Sequence, residues 1–139
     1  MNWLVWSLLS AAFAAATAVL AKVGVAGVNS HVATAVRTTV VLVFAWGVAL
    51  AFAPVRSVLD FSARTWTFLA LSGVATGLSW ICYFRALQLG DASKVAPIDK
   101  LSVVFVLVIA ALFLGEALTW KTTLGGVLIA AGAVIIATN

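Results

Sequence analysis

From Trp3 to Gly24 the chain places one ionisable side chain, Lys22, in an otherwise apolar, alanine-rich run. A run of that length matches the roughly 20 helical residues needed to cross a hydrocarbon layer about 30 Å thick. The pattern then recurs. Further apolar stretches run from about Val32 to Ala53, Thr65 to Leu89, Lys94 to Leu114 and Thr119 to Ala137. A backbone in lipid satisfies its polar groups only within a helix or a closed barrel, and unbroken runs of this length read as helices. The expected fold is therefore an all-α integral membrane protein of five transmembrane helices, forming one domain over residues 1–139.

Composition leaves no soluble alternative. Of the 139 residues 65% are hydrophobic and 9% charged, against about a quarter charged in ordinary soluble domains. Mean hydropathy is +1.22. The single cysteine, Cys82, excludes an intramolecular disulfide framework. A net charge of +4 comes from basic residues scattered through apolar runs, so no contiguous basic face offers itself to nucleic acid. The first span is too long for a signal peptide and lacks a basic residue ahead of it, so it reads as a retained helix.

Punctuation between the spans is short. Asn29 and Ser30 can cap the second helix, and Pro54 stops it. Val55 to Ala63, with Arg56 and Asp60, reads as the longest polar loop, followed by Arg64. Gly90 terminates the third helix, Asp91 or Ser93 caps the fourth, and Gly115-Glu116 turns into the fifth. Arg56, Arg64 and Lys121 lie on the N-terminal side of the membrane. Lys22 and Lys94 lie opposite, with Arg85 and Lys100 within snorkelling reach. That near balance of Lys and Arg permits insertion in both orientations. Trp3, Trp6, Trp66 and Trp120 gather at the N-terminal-side interface, where indoles anchor.

Charges at membrane depth carry the functional signal. Leu101 to Leu114 is too short to cross alone, so the fourth span must take in Ser93 to Lys100. Asp99 and Lys100 then sit roughly 9–11 Å inside its start. Pro97, placed near the first turn, does not require a broken helix. Arg37 is deeper in its span than Arg85 or Lys22. These five residues, delivered by four helices, are expected in one layer of the membrane. Charges there must face protein or water, and the cationic excess favours an anionic or zwitterionic guest. On the third helix Ser72, Thr76, Ser79 and Tyr83 form a polar stripe flanked by Trp80 and Cys82. Gly125, Gly126, Ala130, Ala133 and Ala137 give the last helix a smooth packing face. No phosphate-cradling loop, metal-ligand spacing or nucleophile–base set is present, so neither an enzyme nor a bound cofactor is expected. His31 reads as interfacial.

Three stretches resemble a known family: Trp80 to Gln88 (WICYFRALQ), Lys94 to Ser102 (KVAPIDKLS), and Leu114-Gly115-Glu116 with the glycine-rich Leu124 to Gly132. With Lys22 and Val36-Arg37-Thr38 they resemble the drug/metabolite transporter superfamily. The likeness is to its EamA-type domain, in the single-domain five-helix branch of bacterial and archaeal transporters. The resemblance implies alternating-access transport of a small polar metabolite, often export, across the cytoplasmic membrane. Ten-helix relatives pair two five-helix halves in opposite orientations, so a lone half implies an antiparallel homodimer. The small multidrug exporters of the superfamily hold a glutamate on their first helix. This first helix has no acidic residue.

The expected guest contacts are Arg37, Trp80, Tyr83, Asp99 and Lys100, with Ser79 and Ser102 as hydrogen-bonding groups. Lys22 and Arg85 support the charge layer, and Asp99 is the candidate proton carrier or counter-ion. Two other readings compete: a non-transporting membrane partner whose buried charges specify helix pairing, and a proton-coupled organic-cation exporter.

Overall fold

The computed structural model describes residues 2–138 and, among them, contains helices and turns without a strand. The helices are α1 (Trp3–Gly24), α2 (Ser30–Phe52), α3 (Ala63–Leu89), α4 (Ala92–Asp99), α5 (Ser102–Phe113) and α6 (Trp120–Thr138). Taking α4 and α5 as one segment, Ala92–Phe113, five spans are long and apolar enough to cross a membrane. Most large apolar side chains face outward, Trp3 at 74% and Phe52 at 86% exposure among them. In lipid that outward face is the solvated one.

The helix ends follow local chemistry. Asn29 accepts at Oδ1 from the His31 amide at 2.9 Å and the Val32 amide at 3.4 Å. This cap starts α2 at Ser30, two residues before the expected Val32. Ser62 Oγ accepts from the Thr65 amide at 3.1 Å, and Thr119 Oγ1 from the Thr122 amide at 3.2 Å. Each satisfies an orphan donor in a first turn. Asp91 precedes α4, but its side chain makes no capping bond. The segment read as a polar loop after Pro54 instead winds into a 3₁₀ turn, Val55–Asp60. Gly115, at φ +68°, turns the chain out of α5, and the Glu116 amide closes back on the Ala110 carbonyl at 3.2 Å.

The expected unbroken fourth helix is interrupted at Lys100–Leu101. Because α4 begins at Ala92, Pro97 lies beyond the first turn. There its missing N–H deprives the Ser93 carbonyl of a partner. Bonding then tightens to an i→i−3 pattern. The Lys100 amide donates to Pro97 at 3.1 Å, Leu101 to Ile98 at 3.0 Å and Val103 to Lys100 at 3.0 Å. Lys100 and Leu101 both stay right-handed (φ −71° and −59°), so the break is a 3₁₀ tightening inside one span.

The chain divides into two compact units, Met1–Val23 with Leu89–Asn139, and Gly24–Gln88. In the first, α6 packs against α4 and α5. Gly126 lets α6 approach α5 closely: a Cβ there would lie 2.9 Å from Leu107 Cδ1, the end of a flexible side chain. Ala110 and Ala133 are buried, so small residues set the spacing of these helices. In the second unit the buried residues include Val25, Ser30, Thr34, Phe84 and Leu87. Here the burial gathers near the start of α2 and the end of α3.

Candidate functional site

The second unit builds its polar feature from α2 outward. Three threonine hydroxyls of α2 spend their hydrogen on the helix itself. Thr34 donates to Ser30 O at 2.8 Å, Thr38 to Thr34 O at 2.8 Å and Thr39 to Ala35 O at 3.1 Å. Such back-bonding removes a hydroxyl donor from any other use. Arg37, about 10 Å along the helix from Ser30, is left as the charged group of α2 at membrane depth.

Arg37 meets aromatic rings of α3. Its guanidinium carbon lies 4.2 Å from the Trp80 ring centroid and 5.4 Å from that of Phe84. Both are within cation–π range, which is worth about 2 kcal/mol where water is excluded. The unit contains a single acidic residue, Asp60. Asp60 follows the far end of α2, while Arg37 lies near its start. Within this unit the positive charge therefore rests on ring quadrupoles and not on a carboxylate.

The face of α3 that packs within this unit lies beside the polar stripe expected from the sequence. Trp80, Phe84 and Gln88 recur every four residues, with Leu87 beside them, and this face is the packed one: Phe84 is 3% and Leu87 0% exposed. The stripe of Ser72, Thr76, Ser79 and Tyr83 lies roughly a quarter turn around the axis. On that stripe Thr76 donates to Ser72 O at 2.9 Å, Ser79 is exposed and Tyr83 half-buried. Phe84 and Gln88 were missed as candidates although both stand within the Trp80 to Gln88 stretch. The signal that finds them is their i, i+4, i+8 spacing with Trp80.

Arg85 does not stand alone as a snorkelling charge. It donates from its guanidinium to Gln88 Oε1 at 3.1 Å. Gln88 Nε2 donates in turn to the Val25 carbonyl at 3.2 Å and the Val28 carbonyl at 2.6 Å. Two carbonyl partners require the nitrogen on that side, and Arg85 requires the oxygen on the other, so the amide orientation is self-consistent. Gln88 thereby fastens the α1–α2 connection, which turns at Gly27 (φ +73°), to the end of α3.

The other unit holds Lys22, Asp99, Lys100 and Ser102. Lys22 Nζ donates to the Gly90 carbonyl at 2.8 Å. Asp99 Oδ2 and Lys100 Nζ pair at 3.3 Å, with side chains 38% and 57% exposed. These are adjacent residues, so this pair cannot brace two helices. It sits at the α4–α5 tightening, with exposed Ser102 opening α5. Among the described residues no group of three His, Cys, Asp or Glu could hold a metal ion.

The pattern of the EamA-like transporter family matches residues 1–138. A Sinorhizobium protein described as an uncharacterized transporter in the cobO 3′ region is 54% identical over 136 residues, covering 98% of this chain and 96% of that protein. No solved structure gives a significant match.

Proposed function

The chain belongs to the EamA-like transporter family, and we propose that it exports a small polar metabolite by alternating access, as an antiparallel homodimer. That it is a multi-pass membrane transporter follows from the family and from five apolar spans. The finer reading rests first on Arg37. A guanidinium at membrane depth is costly, and here it is held against Trp80 and Phe84 with no acidic residue near it in its own unit. A group kept charged in that way is suited to receive a polar solute. Asp99 and Lys100, at a 3₁₀ tightening within another span, join it in the proposed pathway, with Asp99 as proton carrier or counter-ion. Tyr83, Ser79 and Ser102 supply further hydrogen bonds.

The proposed assembly answers an odd helix count. All five spans act as one EamA-type unit, and two such units in opposite orientations restore the inverted symmetry on which alternating access runs. Near-equal basic charge at the two sides supports insertion both ways. The test joins topology to activity. A cysteine added after Asn139 in a Cys82→Ser background is probed in intact cells with an impermeant thiol reagent, before and after permeabilisation. Comparable labelled and protected populations are expected, and a single orientation refutes the antiparallel homodimer. Efflux from cells carrying Arg37→Gln and Asp99→Asn then tests the site. Undiminished transport in both variants refutes it.

A further inference from the structure

We infer that the transported solute carries a carboxylate and that Arg37 binds it through guanidinium N–H groups, with Trp80 and Phe84 holding the side chain ready. This rests on the transport reading and narrows its substrate class. An aromatic ring offers a cation its quadrupole but no strong acceptor, so ring contacts at 4.2 and 5.4 Å balance the charge of Arg37 without using its donors. Among the described residues the guanidinium interacts electrostatically with Tyr83 but shows no carboxylate or carbonyl acceptor, and the neighbouring threonine hydroxyls are committed to helix carbonyls. A planar fork of N–H donors remains, in a stretch of helix whose threonine hydroxyls are already bonded to the backbone. The group that matches such a fork in charge, planarity and spacing is a carboxylate, which accepts two parallel bonds.

The same geometry disfavours a cationic guest. Within this unit a cationic solute would meet a positive charge that no carboxylate of the unit offsets, since its lone acid, Asp60, lies beyond the opposite end of α2. A lipid headgroup phosphate is the other oxyanion within chemical reach, and the experiment separates the two.

Wild-type protein, Arg37→Lys, Arg37→Met and Trp80→Phe are reconstituted in phosphatidylcholine vesicles without anionic lipid. They are incubated with an equimolar mixture of succinate, glutamate, glutamine, putrescine, ribitol and uridine, and the accumulated solutes are identified by mass spectrometry. Accumulation is expected only for solutes bearing a carboxylate. Arg37→Lys should lower it tenfold or more, because an ammonium lacks the planar fork, while Trp80→Phe keeps an aromatic face and most of the uptake. Uptake of putrescine, ribitol or uridine dependent on Arg37, or uptake in Arg37→Lys equal to wild type, overturns the inference and leaves the transporter reading standing.

If nothing accumulates, none of these six solutes is carried under these conditions, and thermal unfolding decides the inference alone. Succinate or glutamate raising the melting temperature of wild type but not of Arg37→Met supports a carboxylate site. An Arg37-dependent rise with phosphatidylglycerol and with neither solute assigns the charge to a headgroup and overturns the inference. No Arg37-dependent rise with any of these overturns it as well.

Discussion

Two charged groups at membrane depth are handled in opposite ways. Arg37 is half-buried against the rings of Trp80 and Phe84, on a helix whose threonines are already satisfied. Asp99 and Lys100 pair with each other across one peptide bond and remain substantially exposed. The first arrangement fixes a long side chain by packing and leaves its donors unused. The second neutralises charge locally and fixes little, because neighbouring residues on a helix do not face one another. Rigidity and unspent hydrogen-bonding capacity therefore coincide at Arg37, and that difference ranks it above the Asp99–Lys100 pair as the binding group.

The sharpest way to break this ranking is to compare charge removal at the two places. Arg37→Gln should lower solute affinity by about 10–100-fold, the equivalent of the roughly 1.5–3 kcal/mol carried by hydrogen bonds to a charged group. Concentration-dependent uptake measures it. An equal loss in Lys100→Gln with Arg37→Gln unaffected would invert the order. The two units also differ in what holds their helices. Gly126→Val should destabilise the α5–α6 contact by about 1–3 kcal/mol through overpacking against Leu107, read as a lower melting temperature in detergent. Solute affinity at Arg37 should change little.

Gln88→Leu strips the amide that bonds Val25 and Val28 and should cost about 1–2 kcal/mol. Faster hydrogen exchange in the α1–α2 connection is the expected signature. Because Gln88 lies on the same α3 face as Trp80, a partial loss of affinity should accompany it, in contrast to Gly126→Val. The smallest effect belongs to the exposed pair. Asp99→Asn and Lys100→Gln should each change stability by less than about 1 kcal/mol, and a double-mutant cycle should give a small coupling energy. If Asp99 carries a proton, Asp99→Asn removes the pH dependence of uptake while leaving the melting temperature nearly unchanged.

Much of the fold was legible because bilayer thickness imposes a length on apolar runs. The span from Trp3 to Gly24 could be read directly, and Asn29 announced the start of α2 as a residue whose side chain competes for amide hydrogens. Reading failed where the outcome depended on register. Pro97 looked harmless only while the fourth helix was allowed to begin later than Ala92. On α3 the polar stripe was legible by composition, while the packed face a quarter turn away, with Trp80, Phe84 and Gln88, was read only at Trp80. Hydroxyls in helices are ambiguous in this way, since a carbonyl one turn back is always within reach.

What the sequence by itself determined is the solvent and the architecture it compels. Apolar runs of bilayer length with few charges can satisfy their backbone only as membrane-crossing helices, whatever their neighbours do. It also determined the rarity of charge at depth, which singles out Arg37, Asp99 and Lys100 as candidates. Tertiary structure decided which partner each charge found: rings for Arg37, the adjacent side chain for Asp99, the Gly90 carbonyl for Lys22. Hydropathy depends on composition summed along a segment, whereas a cation–π or hydrogen-bond partner depends on rotation about a helix axis and on which helix packs alongside. A turn of one residue, about 100°, is enough to exchange Trp80 for Ser79 on the face that Arg37 meets.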